Sequence, residues 1–197
     1  MKLLEEYIKE YGIIDKEKDI LRIDSFLNHQ IDIKFLNEVA KEFKRIFSDL
    51  KPDKIFTIES SGIAIATLVS TYFNYCPVVF AKKSDSLNIA SDKYITYEKS
   101  YTRNVECAVQ VSKNYLKEGE NILIIDDFLA NGEALNALVD LCKKAKTNIL
   151  GCGVVVCKAY QPGLKRIKDM GIKVECLSKI KSLDNNSIEF EEEQYVL

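Results

Sequence analysis

The stretch Ile122–Ala134, ILIIDDFLANGEA, decides the reading of this chain. It opens on a run of isoleucine and leucine, a composition that suits a strand buried on both faces. The run ends in two adjacent carboxylates, Asp126 and Asp127. A short turn follows, in which Gly132 can take a backbone angle closed to other residues. A helical pattern then begins at Glu133. This order places the carboxylates at the C-terminal end of a strand, where an open α/β sheet binds its ligands. A helix start offers unpaired N–H groups and the positive end of a dipole, which suit a phosphate. Carboxylates accept from hydroxyl donors, such as those of ribose, and from the water around Mg²⁺. The bare pattern fits equally a strand end followed by a helix cap.

Working outward, short apolar runs alternate with helical patterns. Lys54–Glu59 (KIFTIE), Pro77–Ala81 (PVVFA), Ile149–Cys157 (ILGCGVVVC) and Lys173–Leu177 read as further strands, and Ile63–Phe73, Glu133–Lys144 and Gly163–Met170 as helices. Apolar strands alternating with helices predict an α/β domain, a parallel sheet flanked by helices. Two regions depart from the alternation. The first 30 or so residues hold a helix, a turn and a polar segment, Asp24–Gln30 (DSFLNHQ); the last 20 or so carry an isolated short strand and the acidic run Glu191–Glu193, which reads as a solvated end. The stretch Lys82–Arg103 lacks clear periodicity and is rich in Lys, Ser, Asp and Tyr. A loop that long is functional or mobile as a rule.

The bulk properties narrow the function classes. A chain of 197 residues suits one domain with a real core. A net charge of −2 gives no broad attraction to nucleic acid or membrane. No apolar run approaches the roughly 20 residues that span a bilayer, and the N-terminus lacks the apolar core of a signal peptide, so a cytoplasmic location is expected. The six cysteines form no C-x-x-C pair, and Cys152 and Cys157 sit inside a Val-rich run, so buried free thiols are expected and no metal site.

The thirteen residues together resemble the phosphoribosyl-pyrophosphate (PRPP) signature of the type I phosphoribosyltransferases, through the apolar run, the acidic pair, Leu129, Ala130, Gly132 and Ala134. They depart from it at Phe128, where a smaller aliphatic residue is usual, and at Asn131 and Ala134, where hydroxyl residues often hold the 5′-phosphate. Glu59-Ser60-Ser61-Gly62 links strand to helix and could form an anion-binding nest; the resemblance assigns it to pyrophosphate. It also places a basic residue at Lys82, against the alternative of a solvated Lys82–Lys83 pair. Residues 82–103 resemble the mobile loop that closes over PRPP in this fold and excludes water.

DSFLNHQID, FTIESSGIA, PVVFAKK, ILIIDDFLANGEA and the KAYQPG run, in order along nearly the whole chain, are similar to the bacterial xanthine phosphoribosyltransferases. That resemblance implies a single domain over 1–197. A core over 31–177 would carry a hood from 1–30 and 178–197. The implied reaction is transfer of ribose 5-phosphate from PRPP to N9 of xanthine, giving xanthosine 5′-monophosphate (XMP) and pyrophosphate in purine salvage, by a homodimer. Mg²⁺ would travel with PRPP or pyrophosphate, with no dedicated protein site. The implied catalytic residues are Asp126 and Asp127. Ala130, Asn131, Gly132, Glu133, Ala134, Ser61, Gly62 and Lys82 would bind PRPP, and Leu21, Asn28 and Lys158 the xanthine.

Lys158 ends a strand before a Gln161-Pro162-Gly163 turn, so its ammonium can donate to a purine oxo group and would repel the amino donor of adenine. An exposed strand-end lysine is the plain alternative, as a core leucine is for Leu21 and a loop-capping role for Asn28. Tyr160 fits a base stack or the core equally, and His29, the one histidine, reads as structural. Hypoxanthine–guanine transferases carry an acidic residue where this chain has Ala130, which removes the obvious general base. Transfer to guanine or hypoxanthine is the alternative activity. A PRPP-sensing regulatory module of the same fold is the alternative class, but the 53 residues before the first sheet strand show no basic bias and little room for a DNA-binding module.

Overall fold

The computed structural model describes residues 1–15, 17–84, 92–100, 105–184 and 187–191. Its elements run α1 (Lys2–Tyr11), β1 (Ile13–Asp15), β2 (Ile20–Arg22), a π-helical turn over Asp24–Asn28, α2 (Ile33–Ile46), β3 (Lys54–Ile58), α3 (Ser61–Tyr72), β4 (Val78–Ser84), β5 (Lys93–Ser100), β6 (Val105–Ser112), β7 (Asn121–Leu129), α4 (Glu133–Ala145), β8 (Asn148–Lys158), α5 (Gly163–Asp169), β9 (Val174–Asp184) and β10 (Ser187–Phe190).

Eight strands form one sheet in the order β10-β9-β8-β7-β3-β4-β6-β5. The strands predicted from the apolar runs make its parallel centre, β9-β8-β7-β3-β4. The edges are antiparallel: β10 on β9, β6 on β4, and β5 on β6. The sheet is therefore mixed, with the expected parallel sheet as its centre. Alternate residues of β7 face opposite ways. Leu123 and Ile125 join Phe35, Phe43, Ile65 and Val69 of α2 and α3 in one core. Ile122 and Ile124 join Leu135, Leu138 and Ile167 of α4 and α5 in the other. Apolar side chains on both faces of a central strand require this double cover.

The stretch Lys82–Arg103 differs from the expected loop wherever it is described. β4 continues through Ser84, and β5 pairs residue by residue with β6, from Lys93 opposite Ser112 to Ser100 opposite Val105. Polar side chains hid the strand, because its pairing rests on backbone hydrogen bonds at the sheet edge. Residues 85–91 and 101–104, where the rest of the expected mobile loop falls, lie outside the described residues.

The N-terminal segment is fastened to the body by aromatic rings. Tyr7 stacks on Phe35 at 4.3 Å between centroids, and Phe26 meets Phe35 edge-on at 5.2 Å. Asp32 caps α2 by accepting the Phe35 N–H at 3.0 Å. Cys142, Cys152 and Cys157 are buried free thiols. Among the described residues no helix is long and apolar enough to cross a membrane.

Candidate active site

The strand order reverses between β3 and β7. From β3 the chain passes through α3 to β4 on one side; from β7 it passes through α4 to β8 on the other. A crevice must open between the C-terminal ends of those two strands, the switch point at which open α/β sheets bind ligands. Both turns singled out from the sequence leave from there. They also touch. A Cβ on Gly62 would lie 2.0 Å from Thr57 Oγ1 and 3.2 Å from Asp126 Oδ1, so only glycine lets the start of α3 lie against the acidic pair. Thr57 is fully buried and its hydroxyl has no partner among the described residues. The carboxylate of Glu59 accepts the backbone N–H of Lys83 at 2.6 Å, which ties this turn to β4.

β7 runs through Leu129, three residues beyond the predicted strand end, with Phe128 opposite Val156 of β8. Asp126 and Asp127 thus lie inside the strand, as its sixth and seventh residues of nine. Asp126 is 2% exposed and Asp127 9%, and the Asp127 N–H donates to Asp126 Oδ1 at 3.0 Å. Burial, and then the negative charge of Asp127, hold the Asp126 carboxyl well above the usual carboxylate range; the hydrogen bond from the Asp127 N–H and, less, the charge of Lys83 pull it part of the way back. Two crowded carboxylates at a strand end are a poor fold-stabilising device and a good receptor for hydroxyl donors or a hydrated cation.

After β7 the chain turns at Gly132, with φ +86°, and starts α4 with no side-chain cap on its first amides. The turn is held from outside by α5. The Gly163 N–H donates to Ala130 O at 3.1 Å. Arg166 Nη1 donates to Asn131 O at 3.1 Å and to Glu133 Oε1 at 2.8 Å. The Glu133 carboxylate is therefore engaged by Arg166, leaving its backbone N–H as the group it can offer an anion. Ala130, Asn131 and Ala134 are half-buried around this helix start, whose first amides no side chain caps.

On the neighbouring strand, Lys158 is buried, 5% exposed, at the end of β8. Its ammonium donates to the main-chain oxygen of Asp19 in the β1–β2 turn and stands 3.4 Å from Asp19 Oδ2. Tyr160 Oη and Gln161 Nε2 donate to the two oxygens of the same carboxylate, each at 2.7 Å. Desolvation pushes the Asp19 carboxyl up, but these hydrogen bonds and the lysine charge outweigh it and leave the group below its usual value. Asn28 is exposed, with Nδ2 3.4 Å from Asp127 Oδ2, so the polar N-terminal segment reaches the acidic pair. Leu21 is 6% exposed and joins the core beneath that segment.

The two lysines of β4 part company. Lys82 lines a separate apolar cleft of ≈ 650 Å³ with Val78, Phe80, Lys93, Val111 and Tyr115. Lys83 is the one whose charge reaches Asp126. His29 is exposed. Among the described residues no group of three or more His, Cys, Asp or Glu could hold a metal.

The structure thus places Gly62 against Asp126 and Asn28 Nδ2 near Asp127, with the Ala130–Ala134 turn following the same strand β7 and Lys158 at the end of the neighbouring β8. It adds Asp19, Arg166, Gly163 and Lys83, which sequence reasoning missed. Lys83 was visible as half of a lysine pair. Asp19 and Arg166 gave no signal, since their partners lie 139 and 33 to 35 residues away.

Comparison with known proteins accords with this geometry. The phosphoribosyl transferase domain family matches residues 25–193. Xanthine phosphoribosyltransferase of Clostridioides difficile is 51% identical over 190 residues, covering 96% of this chain and all of that protein. Xanthine phosphoribosyltransferase 2 of Clostridium botulinum is 48% identical over the same extent. Among solved structures, adenine phosphoribosyltransferase of Rhodothermus marinus superposes with a TM-score of 0.74 at 17% identity, covering 91% of this chain and 100% of that one. That of Thermoanaerobacter pseudethanolicus gives 0.72 at 19%, covering 89% and 99%. At such identities the likeness is one of fold.

Proposed function

Since this chain belongs to the phosphoribosyl transferase family, we propose that it is a xanthine phosphoribosyltransferase, moving ribose 5-phosphate from PRPP to N9 of xanthine with release of pyrophosphate. The observation that carries the base assignment beyond the family is the buried Lys158 ammonium at the end of β8, a donor suited to an oxo-purine. An adenine amino group in its place would set donor against donor. The full-length xanthine-transferring relatives support the same reading.

In this reading the 5′-phosphate sits on the backbone amides of Ala130–Ala134 at the N-terminus of α4. Asp126 and Asp127 accept from the ribose hydroxyls. The Ser61–Gly62 turn receives the pyrophosphate, with Lys83 as the nearer cation and Lys82 on the strand's other face. Asn28 and Lys158 take the polar edge of the base, and Leu21 supports the segment above it. The C1′–pyrophosphate bond breaks with its electron pair leaving on pyrophosphate, a purine nitrogen bonds to C1′, and the base gives its N–H proton to water. Ala130 offers no general base for that proton. Xanthine is acidic for a purine, and Lys158 stabilises its developing negative charge. Catalysis then rests on positioning and on electrostatic stabilisation of an oxocarbenium-like ribose. The crowded Asp126–Asp127 pair fits a hydrated Mg²⁺ shared with the substrate's phosphates, and such an ion would neutralise charge on the leaving group.

A homodimer in the cytoplasm accords with this reading. The apolar cleft bordered by Phe80 and Tyr115 is a surface that a second subunit could cover. The test is purified protein with PRPP, Mg²⁺ and each of xanthine, guanine, hypoxanthine and adenine. Xanthine is expected to be the best substrate. Turnover of adenine but not xanthine would refute the base assignment, and PRPP binding without any turnover would favour a sensor.

A further inference from the structure

The β1–β2 turn belongs to no motif of the family signature, yet it makes the most heavily hydrogen-bonded contact at the base end of the crevice. Asp19 receives Lys158 on its main-chain oxygen, Tyr160 on one carboxylate oxygen and Gln161 on the other. Its second carboxylate oxygen also lies 3.4 Å from the Lys158 nitrogen. All three donors come from the end of β8 and the turn after it, so one residue of the N-terminal segment gathers the whole base-facing end of that strand.

The arithmetic of donors gives this contact a function. An ammonium has three N–H groups and no acceptor. One of those of Lys158 is donated to the Asp19 main-chain oxygen, and the Asp19 carboxylate 3.4 Å away holds the ammonium as an ion pair, so the group is restrained with N–H capacity left for a ligand. A lysine on a flexible stem would otherwise spend entropy and pick among orientations each time a ligand arrived. We propose that Asp19 is a positioning residue for base recognition, holding the Lys158 ammonium so that an N–H not given to Asp19 meets an oxo group of the purine. The inference rests on the reading of Lys158 as the base-recognition residue, and adds to it the group that aims it.

The position suits substitution. Asp19 adopts φ +50°, a left-handed angle that asparagine and glycine accept. About half of its side chain is exposed (47%), so its loss opens no cavity. Asp19→Asn keeps the main-chain oxygen and one acceptor but loses the charge; Asp19→Gly loses the side chain entirely.

The experiment is steady-state kinetics of wild type and both variants, varying base at saturating PRPP and PRPP at saturating base, with thermal melting to confirm folding. The expected result is a rise in KM for xanthine of about tenfold in Asp19→Gly, from loss of a charge-assisted contact. Asp19→Asn should show a smaller rise, as partial rescue, and KM for PRPP should stay within about twofold in both. An unchanged KM for xanthine overturns the proposal. So does an equal rise in both KM values, or a fall confined to kcat, since either marks a residue that merely holds the fold. Running guanine and hypoxanthine in parallel separates the two readings. A wild type that uses another oxo-purine refutes the xanthine assignment while still reporting on Asp19, and turnover of adenine alone overturns both.

Discussion

Adding a single methyl group at Gly163 tests whether α5 holds the Ala130–Ala134 turn in place. A Cβ there would sit 2.3 Å from Ala130 O, 2.8 Å from Gly132 N and 2.9 Å from Asn131 C, all backbone atoms that cannot rotate away. Ordinary contact begins near 3.4 Å, so the turn or the helix must move by about 1 Å. A displacement of that size at a positioning element costs on the order of a hundredfold in rate. Gly163→Ala is therefore expected to lower kcat/KM for PRPP about a hundredfold. Overpacking costs about 1–3 kcal/mol, and the better helix propensity of alanine returns at most about 1 kcal/mol. The net loss of about 1–2 kcal/mol should lower Tm by roughly 2–8 °C in a chain of this length. Steady-state kinetics with PRPP varied and a thermal melt read both effects. Gly171→Ala is the control: it has φ +75° but open space around it, so it should lower Tm and leave the kinetics alone. Wild-type PRPP kinetics in Gly163→Ala would refute the claim that α5 braces the phosphate turn.

Three further outcomes follow from the same geometry. The Asp126 carboxyl is raised in the folded state, so the folded chain holds a proton the unfolded chain has released; without ligand, this group costs stability as pH climbs from the ordinary carboxylate range toward the folded-state value. Asp126→Asn should remove that dependence, raise the Tm of the ligand-free protein at pH values above the ordinary carboxylate range and abolish turnover; an unchanged dependence of Tm on pH would contradict the assignment of a penalised carboxylate. Arg166→Gln loses the ion pair to Glu133 and should raise KM for PRPP by about tenfold with KM for xanthine little changed, which varied-PRPP kinetics checks. Lys158→Ala should weaken xanthine by about ten- to a hundredfold and leave PRPP binding intact, as titration of each ligand would show.

The centre of the fold was legible because its strands are apolar on both faces. Ile122–Ile125 could only be a doubly covered strand, and the two cores that receive its alternate residues follow from that. Of the two sheet edges only the short C-terminal strand was legible. β5 carries Lys93, Thr96 and Tyr97 on a strand whose partner, β6, has to be located before the pairing makes sense. The phosphate turn was legible as a local motif, since strand, acid pair, glycine and helix start lie within thirteen residues. What holds it is remote. Arg166 and Gly163 reach it from α5, and Asp19 meets Lys158 across 139 residues of chain, contacts that no local pattern encodes. Lys82 and Lys83 show the limit of a motif reading even nearby: a dipeptide on a strand sends its two charges to opposite faces, and only the structure says that Lys83 serves Asp126.

The central claim is that the Ile122–Ala134 stretch holds the ribose 5-phosphate while the end of β8 reads the base. A crystal structure of the protein with XMP measures this most directly. The account predicts the phosphate within hydrogen-bond distance of the backbone N–H groups of Ala130–Ala134, the ribose hydroxyls on Asp126 and Asp127, and a xanthine oxo group on Lys158. A phosphate bound away from the N-terminus of α4, or a base with no contact to Lys158, would contradict it.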